Sequence, residues 1–218
     1  MTSLEEQKRA LYERYKRGRL IKNPLVLEAF LKVKREEFLP EKSRHVAYVD
    51  SPVSLFDGQT MSAPHMCTLI LDYLELEDHH KVLEIGAGSG YQAALLAEMV
   101  PNGQVVTIER IESLYRFGKA NLERAGYTNV KVFHGDGTLG VPEEAPFDRI
   151  ILTAAGDQIP PPLIEQLATG GILCMPLGQR PFWQTMISVR KTEDGKLVRK
   201  DLSSVAFVPL RGKYGVGS

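Results

Sequence analysis

The residue types best suited to chemistry in this 218-residue chain are alternating glycines that follow an acidic side chain. Gly86, Gly88 and Gly90 come after a short apolar run, and Glu84 lies two positions before the first of them. Glycine lets a backbone turn tightly and lets a ligand approach without a Cβ in the way. These residues therefore predict a nucleotide-binding turn between a strand and a helix.

The spacing of the glycines discriminates between cofactors. A dinucleotide fold uses G-x-G-x-x-G, which aims helix N-terminal amides at a pyrophosphate, but Tyr91 stands where the last glycine would be. A carboxylate at Glu84 would repel a pyrophosphate and would suit the cationic methionine part of S-adenosylmethionine (AdoMet). We therefore favour AdoMet over a dinucleotide, and a purely structural glycine turn is the remaining alternative.

Acidic residues also come at the ends of two later predicted strands. In an open α/β sheet the ligand lies outside the carboxyl ends of the strands, so these residues are expected near it. Glu109 ends a predicted strand, and a carboxylate there can accept hydrogen bonds from both ribose hydroxyls. The alternative for Glu109 is an ordinary surface acid. Asp136, followed by Gly137, is placed to accept a hydrogen bond from an adenine amino group, or else it only forms a turn.

Asp57, Ser62 and His65 are the residue types of a hydrolase triad, and all lie within the stretch 46–66. No G-x-S-x-G elbow surrounds Ser62, and residues so close in sequence rarely form a triad, so a hydrolase is disfavoured. The stretch is rich in turn formers and small hydroxyls, and a connection this long inside a compact domain is usually functional. Ser62 is also predicted to be the N-cap of a helix over 64–74.

The elements that position these residues alternate between strands and helices, which is typical of a parallel sheet covered by helices. Two N-terminal helices precede them, over 3–18 and from residue 23 to near residue 40. We therefore predict an α/β fold with a doubly wound, mostly parallel sheet, an antiparallel edge and N-terminal helices. The predicted strands are 82–85, 104–108, 130–134, 147–152 and 171–176, the helices between them are 92–99, 113–125 and 160–167, and the antiparallel pair is 184–190 with 196–208.

The length of the chain fits one domain, 1–218. We divide it into an N-terminal helical segment (1–45), an active-site loop (46–66) and an AdoMet-binding α/β core (67–218). No apolar run approaches membrane-spanning length and the N-terminus is charged rather than signal-like, so we expect a cytoplasmic protein without a membrane partner. Residues 1–35 hold ten Lys/Arg and four Asp/Glu, a net charge of +6, but a solvated helix face explains this more simply than a nucleic-acid partner.

The sequence offers no metal site. Cys67 and Cys174 lack spacing partners for zinc and lie in apolar surroundings, so both are predicted to be inert buried thiols. His79 and His80 are predicted to be exposed loop residues. Because no cluster of His, Cys, Asp or Glu has ligand spacing, we expect no metal cofactor.

Six runs of the sequence together point to a known family: REEFLPEKSRHVAYVDSPVSLFDGQTMSAPHM, VLEIGAGSGYQAALLA, HGDGTLG, EEAPFDRIILTAA, LIEQLATGGILCMPLG and FVPLRGKYG. In this order, from about residue 35 to residue 215, they resemble the protein-L-isoaspartate O-methyltransferases. The glycine motif is shared by many AdoMet enzymes, whereas GQTMSAPHM ahead of it is specific.

The resemblance implies the Rossmann-like fold of AdoMet-dependent methyltransferases and a protein-repair reaction. A methyl group would pass from AdoMet, leaving S-adenosyl-L-homocysteine, to the free α-carboxylate of L-isoaspartyl residues, with D-aspartyl residues as a further acceptor to be tested. The partners would be isoaspartyl-containing peptides and damaged proteins, and we expect a monomer. By the same resemblance the catalytic residues are Ser62 and Thr60, the cofactor-binding residues are His65, Glu84, Gly86, Gly88, Glu109, Asp136 and Gly137, and the substrate-binding residues are Asp57, Val208 and Leu210.

The reaction implied by the resemblance needs no general base. An isoaspartyl α-carboxylate is ionised at neutral pH, because its pKa is about 4 or below. Transfer is then a direct displacement at the AdoMet methyl, and the protein has to align the reacting groups and exclude water. Two rival functions stay open, an AdoMet methyltransferase that acts on RNA or a small molecule and a non-catalytic AdoMet- or nucleotide-binding module.

Overall fold

A seven-stranded sheet forms the centre of the computed structural model, which describes residues 2–178 and 183–216. None of the helices in these ranges combines the length and apolar character needed to cross a membrane. The strands are β1 (Val53–Ser54), β2 (Thr60–Met61), β3 (Lys81–Ile85), β4 (Gln104–Glu109), β5 (Val130–His134), β6 (Phe147–Leu152), β7 (Leu167–Leu177), β8 (Gln184–Lys191) and β9 (Leu197–Val205). The α-helices are α1 (Leu4–Arg17), α2 (Pro24–Lys32), α3 (Pro64–Tyr73), α4 (Tyr91–Met99), α5 (Glu112–Arg124) and α6 (Pro161–Gln166), and short 3-10 helices cover Arg35–Phe38, Glu41–Val46, Gly137–Leu139 and Pro142–Glu144.

The sheet confirms the predicted doubly wound, mostly parallel arrangement with an antiparallel edge. Its strands lie in the order β5-β4-β3-β6-β7-β8-β9, parallel from β5 to β7 and antiparallel from β7 to β9. The chain moves outward from β3 through β4 to β5 and then returns to place β6 on the other side of β3. Ligands of open α/β sheets bind where the strand order reverses, outside the carboxyl ends. This reversal lies directly beside the predicted glycine turn.

Both faces of the sheet are buried because its central strands are apolar on both sides. Along β3, Val82 belongs to one hydrophobic cluster, whereas Leu83 and Ile85 belong to another. Alternate side chains of a strand point to opposite faces, so the two clusters lie on opposite sides of the sheet. Tyr15 of α1 and Phe30 of α2 share the cluster of Val82, and the N-terminal helices therefore cover one face.

The second N-terminal helix ends earlier than predicted. The sequence predicts a helix to near residue 40, but α2 stops at Lys32, and Val33 has extended backbone angles (φ −77°, ψ 122°). Lys8 of α1 donates a hydrogen bond to the carbonyl of Leu31 and so satisfies an acceptor that a helix end leaves unpaired. The boundary is thus set by a contact with a distant part of the chain rather than by the local pattern.

The stretch 46–66 contains a short hairpin, β1 and β2, that the sequence did not predict. Asp57 and Gly58 turn the hairpin, both with left-handed backbones (φ 51° and 71°). After it, α3 has Ala63 as its N-cap, and no side chain caps this helix. The prediction that Ser62 is the N-cap is therefore wrong, because Ser62 lies one residue too early. The division of the chain at residues 45 and 66 stays a prediction.

The burial of the cysteines is as predicted, but that of one histidine is not. Cys67 and Cys174 are buried free thiols, and burial raises the pKa of both, to about 12 for Cys174. His79 is exposed, whereas His80 is only 6% exposed, so the prediction for His80 is wrong. Its Nδ1 accepts a hydrogen bond from the backbone N–H of Glu77 (2.9 Å), which draws the ring beneath the loop.

The predicted cap of α2 is confirmed and offers a test of both cap assignments. The Asn23 side chain accepts a hydrogen bond from the N–H of Leu25 (3.0 Å). Asn23→Ala is expected to lower the free energy of unfolding by about 1 kcal/mol, the usual contribution of an N-cap. Ser62→Ala removes no cap and should change this free energy by less than about 0.5 kcal/mol. Urea denaturation of both variants measures the two values, and an equal loss in both would contradict the observed caps.

Candidate active site

A cavity of about 210 Å³ opens at the carboxyl ends of the central strands. Its floor comes from the segments that follow β3, β4, β5 and β6, and its other walls come from the β1–β2 hairpin and from the chain after β9. We call it the strand-end cavity. Seven of the predicted site residues line it, namely Thr60, Gly86, Gly88, Glu109, Gly137, Val208 and Leu210.

Glycine is required at the turn because of the side chain that faces it. Gly86 has a left-handed backbone (φ 97°), and a Cβ there would meet Thr153 Oγ1 at 2.5 Å. The same hydroxyl lies within hydrogen-bond distance of the carbonyl oxygens of Ile85 (3.0 Å) and Gly86 (2.9 Å). The turn and the end of β6 are therefore held together with no room for a side chain, and bare backbone borders the cavity.

Glu109 lies on the cavity wall and links two backbone segments through hydrogen bonds. It is 6% exposed, so it is not the surface acid of the alternative interpretation. Its Oε2 accepts a hydrogen bond from the N–H of Gly88 (3.0 Å), and its Oε1 accepts one from the N–H of Ile111 (3.0 Å). Because each carboxylate oxygen can accept a further hydrogen bond, this placement suits the ribose contact, which stays a prediction.

Glu84 lies behind the turn, fully buried, and does not line the strand-end cavity. Thr107 Oγ1 donates a hydrogen bond to its Oε2 (2.5 Å), and Oε1 has no partner among the described residues. Burial raises the pKa of Glu84 to about 8, so the carboxyl group is mostly protonated at neutral pH. Its predicted contact with the cofactor stays a prediction.

Asp136 forms a turn, which is the alternative to the predicted contact with an adenine amino group. Its Oδ1 accepts hydrogen bonds from the N–H and Oγ1 of Thr138 (2.9 and 2.7 Å), and its Oδ2 accepts one from the N–H of Lys213 (2.8 Å). Burial opposes ionisation, but the hydrogen bonds from Lys213 and Thr138 lower the pKa of Asp136 overall. The carboxylate thus fastens the C-terminal segment to the turn, and the adenine contact stays a prediction.

A second cavity of about 720 Å³ lies between the 46–66 stretch and the segment after β9, and we call it the loop cleft. Thr60, Thr153 and Val208 line both this cleft and the strand-end cavity. Ser62 lines the loop cleft and also a small void of about 50 Å³ that Thr60 and the glycine turn border. The two predicted catalytic residues therefore lie at the junction of the cavities.

Two of the polar side chains that line the loop cleft, Ser62 and His65, differ in their hydrogen bonding. The hydroxyl of Ser62 has no partner in the described part of the chain and is available to a ligand. His65 is anchored, because its backbone N–H and its Nδ1 both lie 2.9 Å from Asp50 Oδ1. His65 lines the loop cleft and not the strand-end cavity, so its predicted cofactor contact stays a prediction.

Asp57 lies at the tip of the β1–β2 hairpin and lines neither the strand-end cavity nor the loop cleft. It accepts a hydrogen bond from the hydroxyl of Ser113 in α5. Beside it, Phe56 packs edge-on against Phe117, with ring centroids 5.1 Å apart. These contacts hold the hairpin over the strand-end cavity, and the predicted substrate contact of Asp57 stays a prediction.

Sequence reasoning missed some groups that the structure brings together. Leu55, Gln59 and Arg110 line the strand-end cavity. Only the positions of Gln59 next to Thr60 and of Arg110 next to Glu109 could have signalled them. The ligand atoms of Glu77, His79 and His80 lie within 4.8 Å of one another, which corrects the statement that no cluster has ligand spacing. This group precedes β3 and so lies at the opposite end of that strand from the glycine turn.

Comparisons with known proteins agree with the motifs found in the sequence. Residues 6–215 match the model of the family described as Protein-L-isoaspartate(D-aspartate) O-methyltransferase (PCMT). The chain is 48% identical to the protein-L-isoaspartate O-methyltransferase of Hyperthermus butylicus, covering 96% of this chain and 90% of the relative. It is 50% identical to that of Methanopyrus kandleri, covering 94% of this chain and 91% of the relative.

Solved structures show the same fold. A protein-L-isoaspartate O-methyltransferase superposes with a TM-score of 0.85 at 31% identity, covering 95% of this chain and 67% of that one. A Plasmodium falciparum protein solved in complex with S-adenosyl-L-homocysteine superposes with a TM-score of 0.81 at 29% identity, covering 93% of this chain and 97% of that one. The predicted Rossmann-like methyltransferase fold is therefore confirmed.

Asp50, which anchors His65, should make the stability of the protein depend on acid pH. Burial opposes its ionisation, but hydrogen bonds from His65 and from the Tyr15 hydroxyl outweigh this and lower the pKa of Asp50 from 3.8 to about 2. A depressed pKa stabilises the fold above pH 4, and this contribution is lost as the pH falls towards 2. Between pH 5 and pH 2.5 the wild type should lose about 1–2 kcal/mol more of its unfolding free energy than Asp50→Asn does.

Urea denaturation at several pH values measures this difference. Asp201→Asn, on the exposed edge strand β9, serves as the control and should follow the wild type. Parallel pH profiles for the wild type and Asp50→Asn would contradict the assignment.

Proposed function

Because this chain belongs to the protein-L-isoaspartate(D-aspartate) O-methyltransferase family, we propose that it transfers a methyl group from AdoMet to the free α-carboxylate of L-isoaspartyl residues in damaged peptides and proteins. The observation that carries the proposal is that the strand-end cavity and the loop cleft meet at Thr60, beside Ser62. A transferase needs its donor and its acceptor in adjoining sites, with the reacting atoms at the junction.

The strand-end cavity fits AdoMet. A Cβ at Gly86 would clash with Thr153, so bare backbone forms part of the floor. The buried Glu109 offers an acceptor for ribose hydroxyls, and Ile108 and Leu114 offer an apolar surface for an adenine ring. When bound, AdoMet supplies a methyl group on a sulfonium that is already a good leaving group.

The acceptor side of the reaction depends on hydroxyl groups rather than on a base. An isoaspartyl α-carboxylate is already ionised at neutral pH, since its pKa is about 4 or below. The hydroxyls of Ser62 and Thr60 can donate hydrogen bonds to this carboxylate and fix its direction of approach. The loop cleft also has an apolar wall, which includes Met66 and Phe207 and would help to exclude water when the acceptor is bound.

The lining of the loop cleft also favours a peptide over RNA. None of its lining residues in the described part of the chain is Lys or Arg, whereas RNA binding requires basic side chains along the groove. The basic residues of α1, apart from the buried Lys8, are therefore interpreted as a solvated helix face. That the protein is cytoplasmic and has no nucleic-acid or membrane partner is a further proposal and rests on the sequence composition. That it is a monomer is also a proposal.

Methyl transfer to an isoaspartyl peptide, compared with the same peptide containing normal Asp, tests the proposed function. Labelled methyl from AdoMet is expected to enter the isoaspartyl peptide and not its normal counterpart. A D-aspartyl peptide and RNA, assayed in parallel, define the range of acceptors. Equal labelling of both peptides, or labelling of RNA alone, would refute the proposal, and AdoMet binding without any transfer would indicate a binding module.

Glu109→Ala is expected to weaken AdoMet binding by about 1–3 kcal/mol. The change removes the proposed ribose acceptor and also releases the N–H groups of Gly88 and Ile111. Isothermal titration calorimetry measures the affinity, and Glu112→Ala, an exposed acid at the start of α5, is the control. Unchanged affinity in a folded Glu109→Ala variant would exclude the ribose role.

Ser62→Ala is expected to lower kcat/KM for the isoaspartyl peptide by roughly ten- to a thousandfold, the range for loss of one or two orienting hydrogen bonds. AdoMet affinity should change much less, because the glycine turn and Glu109 remain. Single-turnover transfer at saturating AdoMet measures the effect, with the exposed Ser51→Ala as control. A methylated or peptide-linked Ser62 would instead indicate covalent catalysis, and full activity of the variant would rule out the positioning role.

A further inference from the structure

A buried arginine lies behind the serine of the loop cleft. The Arg35 side chain is 0% exposed, and it forms no ion pair with a carboxylate in the ranges 2–178 and 183–216. Its Nη2 donates a hydrogen bond to the carbonyl of Ser62 (2.7 Å), and its Nε donates one to the carbonyl of Ala47 (2.9 Å). Arg35 therefore holds the chain directly at the predicted catalytic residue.

The same guanidinium reaches the elements on either side of the junction between the cavities. Its Cζ lies 4.9 Å from the ring centroid of Tyr91, the first residue of α4 after the glycine turn. Its Nη1 lies 3.8 Å from Sγ of Cys67 in α3. One rigid, planar group thus joins the cleft segment, α3 and the helix that follows the cofactor turn.

Packing alone does not account for Arg35. A buried cation without a carboxylate partner is costly, and an apolar side chain of similar size often stabilises a fold at least as well. The carbonyl oxygens of Ala47 and Ser62 accept hydrogen bonds from it but do not neutralise its charge. The guanidinium lies against the backbone of Ser62, which lines the loop cleft, so binding of the proposed anionic acceptor would bring a negative charge close to Arg35.

The hydrogen bond to Ser62 also fixes the direction of the following amide. The peptide bond between Ser62 and Ala63 is trans, so the N–H of Ala63 points opposite to the carbonyl that Arg35 holds. This N–H has no acceptor among the described residues, and Ala63 lines the loop cleft.

We propose that Arg35 is a positioning residue for methyl transfer. By holding the Ser62 carbonyl, it presents the Ala63 N–H together with the Ser62 hydroxyl as a pair of donors for the acceptor carboxylate. This inference rests on the proposed function, because that function supplies the carboxylate. It adds a residue that contacts neither substrate nor cofactor and that acts through the backbone of the cleft.

The inference is tested by measuring how much more tightly the protein binds a carboxylate peptide than the corresponding amide. The binding of an isoaspartyl peptide and of its α-carboxamide analogue is measured by calorimetry on protein saturated with S-adenosyl-L-homocysteine, which cannot donate a methyl group. The variants are Arg35→Met and Arg35→Lys. The matched control is Arg149→Met, because Arg149 is also buried and donates to backbone carbonyls, those of Leu74 and Glu75, near the start of β6.

Arg35→Met is expected to reduce the preference for the carboxylate peptide by about tenfold or more, while the affinity for S-adenosyl-L-homocysteine stays within about threefold. Arg35→Lys keeps a cation and one donor group, so it should reduce the preference for the carboxylate peptide by only about threefold. Arg149→Met should keep the full preference even with lower thermal stability. If Arg35→Met does not fold, the drop in Arg35→Lys relative to Arg149→Met decides the question.

An undiminished preference in Arg35→Met, an equal loss in Arg149→Met, or an Arg35→Lys variant no better than Arg35→Met would each overturn the inference. Failure of the proposed function is distinguishable from these outcomes. In that case the wild type itself would neither methylate the isoaspartyl peptide nor prefer it to the carboxamide.

Discussion

The turn after β3 has to pass very close to the ends of its neighbouring strands, and the site depends on that close approach. Gly86 lies against Thr153 at the end of β6, and a Cβ on Gly137 after β5 would meet Ile85 Cγ2 at 2.5 Å. Glu109, at the end of β4, accepts a hydrogen bond from the turn. Four strand ends therefore converge, and a small cavity with backbone and apolar walls forms where they meet.

Acidic side chains near the cavities act mainly by forming hydrogen bonds between the segments that complete the cavity walls. Asp57 joins the hairpin tip to α5, Asp136 joins the C-terminal segment to the turn after β5, and Asp50 anchors His65 in the cleft. Each accepts at least one hydrogen bond from a segment far away in sequence. An acidic residue near a binding site can thus shape the cavity walls without touching the ligand. The local sequence does not distinguish this structural role from direct contact with the ligand.

Features that depend on local pattern could be predicted from the sequence. Apolar β-branched runs identified the strands, and the strand order explains why Glu109 lies at the same edge as the glycine turn. The errors at Ser62 and His80 are local, whereas the early end of α2 and the role of Arg35 concern partners that are distant along the chain. Lys8 ends α2 from 23 residues away, and Arg35 holds the Ser62 carbonyl from 27 residues away. Spacing within one element carries no signal of such contacts.

The hydrogen bonds at Asp50 have a consequence for how this sequence can diverge. Asp50 accepts from Tyr15 in α1 (2.9 Å) and from His65 in α3 (2.9 Å), so it links the stretch with the least family resemblance to the most specific motif. Most positions of α1 face solvent, so their side chains can be substituted with little effect on the fold. Tyr15 is an exception, because its replacement would remove a hydrogen bond that joins α1 to Asp50 and so to the segment of His65. Substitutions at positions 15, 50 and 65 are therefore expected to arise together in lineages, while the exposed positions of the helix that contact no other segment change independently.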